Sequence, residues 1–276
     1  MPRKNTTYYI LHTTYSKGQA LLIVVLVMVV ALTVGLGLMS RTTTDIKVSQ
    51  QQEESARAFS AAEAGIEEAL RSGGIIGGPV TLDSGANYTS TVSETGYTEF
   101  LFPDEIFPGQ TATLWLAEHS GDDLDETNTY SGASFDLCWR GGAVEVSVYY
   151  KSGGDYQVRR GAYDPDGARR SSNHFSAPDG GSCLNLANKK TVRLADLGVP
   201  GGATLLFANL KPYYSTTKIG AVASGSPFPS QGKEIESIGT LGTITRKVKV
   251  FRSWPAPPAI FDYGLFSGSG LVKSDE

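Results

Sequence analysis

After a polar, basic opening stretch, the chain runs from Ala20 to Met39, twenty residues, without a charge. A helix rising about 1.5 Å per residue crosses a hydrocarbon core of roughly 30 Å in about 20 residues, so this segment predicts a membrane-spanning helix. The pattern then turns polar without a break. Between Ser40 and Ser72 there is no proline and a single glycine, Gly65, and the stretch is rich in Glu, Gln, Arg and Ala, which favour helix. Phe59, Ala62, Ile66 and Leu70 recur at spacings of three and four and so share one face. Glu53, Glu54, Arg57, Glu67 and Glu68 take most of the rest. One helix is expected from Gln19 to Ser72, on the order of 80 Å long. Residues 19–40 form its transmembrane part and residues 41–72 its amphipathic continuation. Gly73-Gly74 supplies the stop, and Arg71 suits the negative end of the helix dipole.

From Gly77 the period changes from helical to two. Val144, Val146, Val148 and Tyr150 alternate with Glu145, Ser147, Tyr149 and Lys151, the mark of a half-buried strand. Ser152-Gly153-Gly154-Asp155 then turns the chain into a second strand, 156–163. Further strands are expected at 111–116, 135–139, 191–194, 204–210, 215–223, 233–239 and 243–252, with glycine pairs between several of them. The fold class is therefore α+β: a long N-terminal helix, then a mainly antiparallel β domain over residues 77–253. About 200 residues can bury one sizeable core, and no internal repeat or clear linker divides the region, so a single elaborated sheet domain is expected. The tail, 254–276, carries Pro255, Pro257 and Pro258 and cannot be a central strand through them. Its aromatic run Phe261-Asp262-Tyr263-Gly264-Leu265-Phe266 either packs back on the domain or belongs to the end of a shortened product.

Charge sets the orientation. Arg3, Lys4 and Lys17 precede the apolar run with no acidic residue, whereas Arg41 beyond it is soon followed by Asp45. Positive flanks stay cytoplasmic, which keeps the N-terminus inside and sends the β domain across the cytoplasmic membrane. A cleaved secretory signal shares the basic start, but its apolar core spans about 7 to 15 residues and ends in a small-residue cleavage site. An uncleaved single-pass anchor is the stronger competitor.

Ala58, Ala61, Ala62 and Gly65 would let another backbone approach closely, either a second helix or the chain's own folded domain. The segment Ala58-Phe59-Ser60-Ala61-Ala62-Glu63-Ala64-Gly65, together with Gly18-Gln19-Ala20-Leu21-Leu22, the apolar run and Arg41-Thr42-Thr43, resembles the N-terminal region of PilX-type minor pilins of type IV pili. The resemblance covers about the first quarter of the chain. It implies a pilin-like fold, a leader of residues 1–18 removed after Gly18 by a prepilin peptidase, and methylation of the new first residue, Gln19. As partners it implies other pilins, met through helix residues such as Phe59 and Glu63, and the inner-membrane assembly machinery. Major pilins usually begin with Phe or Met and carry Glu at the fifth position, which is thought to neutralise a neighbour's amine; here Gln19 and Ile23 stand there. The departure points away from the repeating subunit and towards an accessory, priming or tip subunit, since the first subunit has no neighbour beyond it to pair. Leader-bearing protein should accumulate in the membrane when Gly18 is substituted.

Candidate chemistry is sparse. Cys138 and Cys183 fall on the extracytoplasmic side, where thiols are oxidised, and a disulfide between them is expected. Acidic groups at Asp122, Asp123, Asp125 and Glu126, and at Asp164 and Asp166, offer oxygen ligands to calcium but lack the twelve-residue loop, and Asp164-Pro165-Asp166-Gly167 reads more simply as a turn. Without G-x-S-x-G, H-E-x-x-H or a phosphate-binding glycine loop, no enzyme, cofactor or metal site is predicted. Basic pairs at 159–160, 169–170 and 189–190 raise contact with DNA, but the net charge of −4 becomes −7 once the leader's three cations are gone. Nucleic acid would then need a local patch. Two classes remain: a filament-assembly subunit that also serves pilus assembly or surface adhesion, and an uncleaved, anchored β-rich binding protein.

Overall fold

The structure, a computed structural model, describes residues 19–121 and 123–258. Helix α1 runs unbroken over Gln19–Ser72. It is long and apolar enough to cross a membrane, and its side chains from Ala20 to Glu54 are all exposed. In chain order there follow β1 (Ile76–Thr81), β2 (Asn87–Thr95), β3 (Glu99–Leu101), β4 (Ala112–Trp115), β5 (Ala117–Ser120), β6 (Asp123–Thr129), β7 (Ser134–Trp139), β8 (Ala143–Ser152) and β9 (Asp155–Tyr163). The short helix α2 (Gly167–Asn173) separates these from β10 (Asn188–Arg193), β11 (Thr204–Tyr213), β12 (Ile219–Ser224), β13 (Gly232–Leu241) and β14 (Ile244–Ser253).

The strands form three four-stranded sheets, ordered β1-β2-β13-β14, β10-β7-β12-β3 and β4-β11-β8-β9, with β5-β6 as a separate hairpin. Every named pairing is antiparallel. Among the described residues the expected antiparallel β region is thus built from three larger sheets rather than one continuous one. A strand's natural twist limits how far one sheet extends before it splits into packed layers. Two of these sheets share the main core. Phe135, Leu137 and Trp139 of β7 and Val144, Val146, Val148 and Tyr150 of β8 belong to one buried cluster, each at 0% exposure. Full burial of such side chains stabilises by roughly 1.5–3 kcal/mol each. Leu205 and Leu210 of β11 and Ile219 of β12 complete it.

The third sheet, β1-β2-β13-β14, carries α1. Two smaller clusters lie between them, one around Ala61, Ala86 and Tyr88, the other around Ile66, Ala69 and Ile235. Strand 191–194 begins earlier, at Asn188, and strand 215–223 begins later, at Ile219. The turn expected at 164–167 instead starts a helix: the Asp166 carboxylate accepts from the Ala168 and Arg169 amides and caps α2.

Candidate functional site

The outer half of α1 lies on β2, β13 and β14. Its buried face is formed by Ala58, Ala61, Ala62, Ile66 and Ala69, spaced three and four apart. A strand can approach so closely only where both surfaces are nearly bare. A Cβ on Gly239 of β13 would fall inside the van der Waals envelope of the Ala58 carbonyl oxygen and 2.6 Å from the Ala62 nitrogen. Gly65 meets the same limit from the helix side. A methyl there would stand 2.6 Å from Ser90 Oγ and 2.7 Å from the Tyr88 ring, and closer still to Ser237 Oγ. Glycine within a helix costs about 0.5–1 kcal/mol against alanine, and here the close approach explains it. The Ser90 hydroxyl donates to the Gly65 carbonyl at 2.8 Å in a buried hydrogen bond. At the β13–β14 turn, the Arg246 guanidinium donates to Ser55 Oγ at 2.6 and 2.9 Å.

Of the two partners left open for the small residues, the structure brings Ala58, Ala61, Ala62 and Gly65 onto the chain's own sheet. Phe59, expected on the same face as Ala62, Ile66 and Leu70, is instead 46% exposed. The buried stripe is centred on Ala58, Ala62 and Gly65, and a residue one step along a helix is rotated about a quarter-turn away. Glu63 is also exposed, as are Ile46 and Val48. These residues lie on the exposed outer face of α1. Gly18 lies outside the described residues, and Gln19 is the first residue of α1. Gly239 and Ser90 escaped the sequence reading; the glycine interrupting an otherwise regular strand was the available signal.

Cys138 of β7 and Cys183 are joined in a disulfide, with Cα atoms 5.6 Å apart. It ties the turn at Leu184 and Asn185, both in the left-handed region, to the main sandwich.

Asp125, Glu126 and Asp164 are engaged within the fold, whereas Asp123 is exposed. Asp125 accepts from the Thr127 amide at 2.8 Å and hydroxyl at 2.6 Å, and Glu126 from Lys151 at 2.6 Å and Tyr156 at 2.8 Å. Asp122 lies outside the described residues. Asp164 is fully buried. It takes two hydrogen bonds from Arg169, at 2.7 and 2.9 Å, and one from Asn173 at 2.8 Å. The Arg169 hydrogen bonds hold its pKa down to about 2, against the opposing effect of burial. Among the described residues no three His, Cys, Asp or Glu side chains gather as a metal site.

The basic pairs are also engaged: Arg160 with Glu145 at 3.7 Å, Lys189 with Asp136 and Lys190 with Asp179 at 2.7 Å each, and Arg170 with the Asp164 carbonyl at 2.8 Å. One histidine stands out: His119 stacks on Trp254, ring centroids 4.8 Å apart, and meets Trp115 edge-on at 4.4 Å. Burial pushes its pKa below the ordinary value.

No protein-family model, curated protein or solved structure matches this chain. Its functional reading rests on its own residues.

Proposed function

We propose that the protein is an accessory, priming or tip subunit of a type IV pilin-like filament, cut after Gly18 by a prepilin peptidase and acting in pilus assembly or surface adhesion. The observation that carries this reading is the form of α1: one 54-residue helix, exposed from Ala20 to Glu54 and docked on a β sheet only beyond that. An anchor needs about 20 residues to span the bilayer; a rod that continues well past it, bare on all sides, leaves a surface for neighbouring rods. Ile23 supports the special position, because no carboxylate stands there to neutralise a neighbour's amine. The N-terminus stays in the cytoplasm and the β domain lies outside. The net negative charge of the chain, −4 with the leader's cations included, argues against DNA as the ligand.

The test is N-terminal sequencing of protein recovered from cells that contain a working prepilin peptidase. A mature chain beginning at methylated Gln19, and accumulation of the longer form in a Gly18→Glu variant, are the expected results. An intact leader in the presence of the active peptidase would replace this reading with that of an uncleaved, anchored β-rich binding protein.

A further inference from the structure

The β13–β14 hairpin treats the cations on its two faces differently. On the face turned away from α1, Lys247 meets Glu236 at 2.5 Å and Lys249 meets Glu234 at 2.6 Å. On the face turned towards α1, alternate residues of β14 are covered in succession: Arg246 by Ser55, then Val248 and Val250 by the cluster around Ile66 and Ala69. The next residue on that face, Arg252, comes past the end of the helix and stands directly opposite Lys233 of β13. Like charges placed directly opposite on one face of a sheet repel each other. Among the described residues neither of these two side chains forms an ion pair.

Both line one cavity of about 260 Å³ at the end of α1, together with Arg71, Ser72, Gly73 and Trp254. No carboxylate is among its described lining residues. Arg71 donates to Glu68 at 2.5 and 3.0 Å, so its charge is already balanced. Glu94, across from Lys233 on β2, receives the Tyr97 hydroxyl at 2.9 Å instead. Lys233 stands over the Trp254 ring, 5.3 Å from its centroid, where the π face offers only partial negative charge. The last carbonyls of α1 add the equivalent of about half an elementary charge. Two full positive charges are set against these, and an entering anion would remove their repulsion.

Size and position narrow the occupant. The cavity is smaller than the roughly 300 Å³ at which clefts begin to hold drug-sized molecules. A lipid headgroup is out of reach, because Ser72 stands about 50 Å along the helix from Met39, where the apolar run ends. We propose that this cavity binds a small doubly charged oxyanion, a phosphate group or a dicarboxylate, held between the Arg252 guanidinium and the Lys233 ammonium. The planar fork of arginine matches the paired oxygens of either group, and lysine adds a point charge beside it. Trp254 is fixed in the wall by a hydrogen bond from Nε1 to the Ser230 carbonyl at 3.1 Å, which holds the ring beneath Lys233 in place. The inference goes beyond the filament reading and does not depend on the processing of the leader.

Thermal unfolding of the full chain in detergent micelles tests it, in sodium phosphate and separately in sodium succinate, each against sodium chloride at equal ionic strength. The melting temperature should rise saturably, by about 3–6 °C at about tenfold excess over the dissociation constant. Arg252→Gln and Lys233→Gln should each abolish the rise. In chloride Arg252→Gln should melt no lower than the native protein, since a repulsion has gone. Lys247→Gln, whose cation is already paired with Glu236, should keep the response. A rise in phosphate alone assigns the site to a phosphate group, and a rise in succinate alone to a dicarboxylate. If either cavity variant unfolds early, titration calorimetry of phosphate and of succinate into the native protein decides: one saturable site supports the proposal, and heat of dilution alone in both overturns it. An equal rise in the native protein and Arg252→Gln, which general exclusion of these salts from protein surfaces would produce, also overturns it. So does the absence of any rise in the native protein.

Discussion

Gly239 of β13 lies backbone to backbone against Ala58 of α1, so near that a methyl group on the glycine would overlap the alanine carbonyl. This contact sets where the helix stops being free and becomes part of the domain. Replacing Gly239 with Ala should push α1 off the sheet, at the cost of about 1–3 kcal/mol typical of overpacking. Gly65→Ala should act in the same direction from the other side. Thermal unfolding, combined with protease cutting in the segment from Ala58 to Ser72, would register both. Unchanged melting of Gly239→Ala would mean the helix does not dock as described.

Asp164 offers a second test. Its carboxylate is fully buried on Arg169, and removing one member of such a pair leaves the other uncompensated, a loss of about 3–5 kcal/mol when both are buried. Arg169 is one-third exposed, so Asp164→Asn should fall at or below the lower end. The folded-state pKa is depressed to about 2 from 3.8. The pair therefore contributes fully above pH 3.8, and that contribution is lost as the pH falls towards 2. Melting temperatures of the native protein and Asp164→Asn should accordingly converge on acidification across that window.

His119 gives a dependence in a milder range. Its pKa is lowered by burial from 6.5, and its Nδ1 is buried with no hydrogen-bond partner among the described residues. Below pH 6.5 the unfolded chain takes up a proton that the folded chain resists, so stability declines as the pH falls, until the folded imidazole is itself charged. Glu118, Glu94 and Asp125 share this corner, and Lys233 lies over the Trp254 ring. Comparing denaturant midpoints at about pH 7.5 and about pH 5, on either side of the ordinary histidine range, in the native protein and His119→Phe isolates the effect. The variant should lose part of the acid sensitivity, and an identical pH response in both would refute the assignment.

Reducing the Cys138–Cys183 disulfide opens a loop with a sequence separation of 45. On the chain-entropy account, a loop of that size contributes about 4 kcal/mol. Melting with and without reductant should differ by a corresponding amount, and alkylation with mass measurement should find two thiols only after reduction.

The alternation of apolar and polar residues and the charge-free run are by themselves enough to define the class of fold. The limits of α1, the hairpin of β8 and β9, and the strands β7, β11, β13 and β14 are all legible, because each is long enough for its own period to dominate. β1, β2, β3, β5 and β6 are not. They are short or rich in Thr, Ser, Asp and Glu, and only hydrogen bonding to neighbours distant in sequence makes them strands. For the helix surface, spacing names the small residues but not what they touch, since alanine serves a sheet and a second helix equally well. Gly239 and Ser90 decide between these, and both lie far along the chain from the segment they receive. The division into three sheets likewise comes from tertiary structure alone: pairing between distant strands depends on the geometry of the whole chain, which no local pattern encodes.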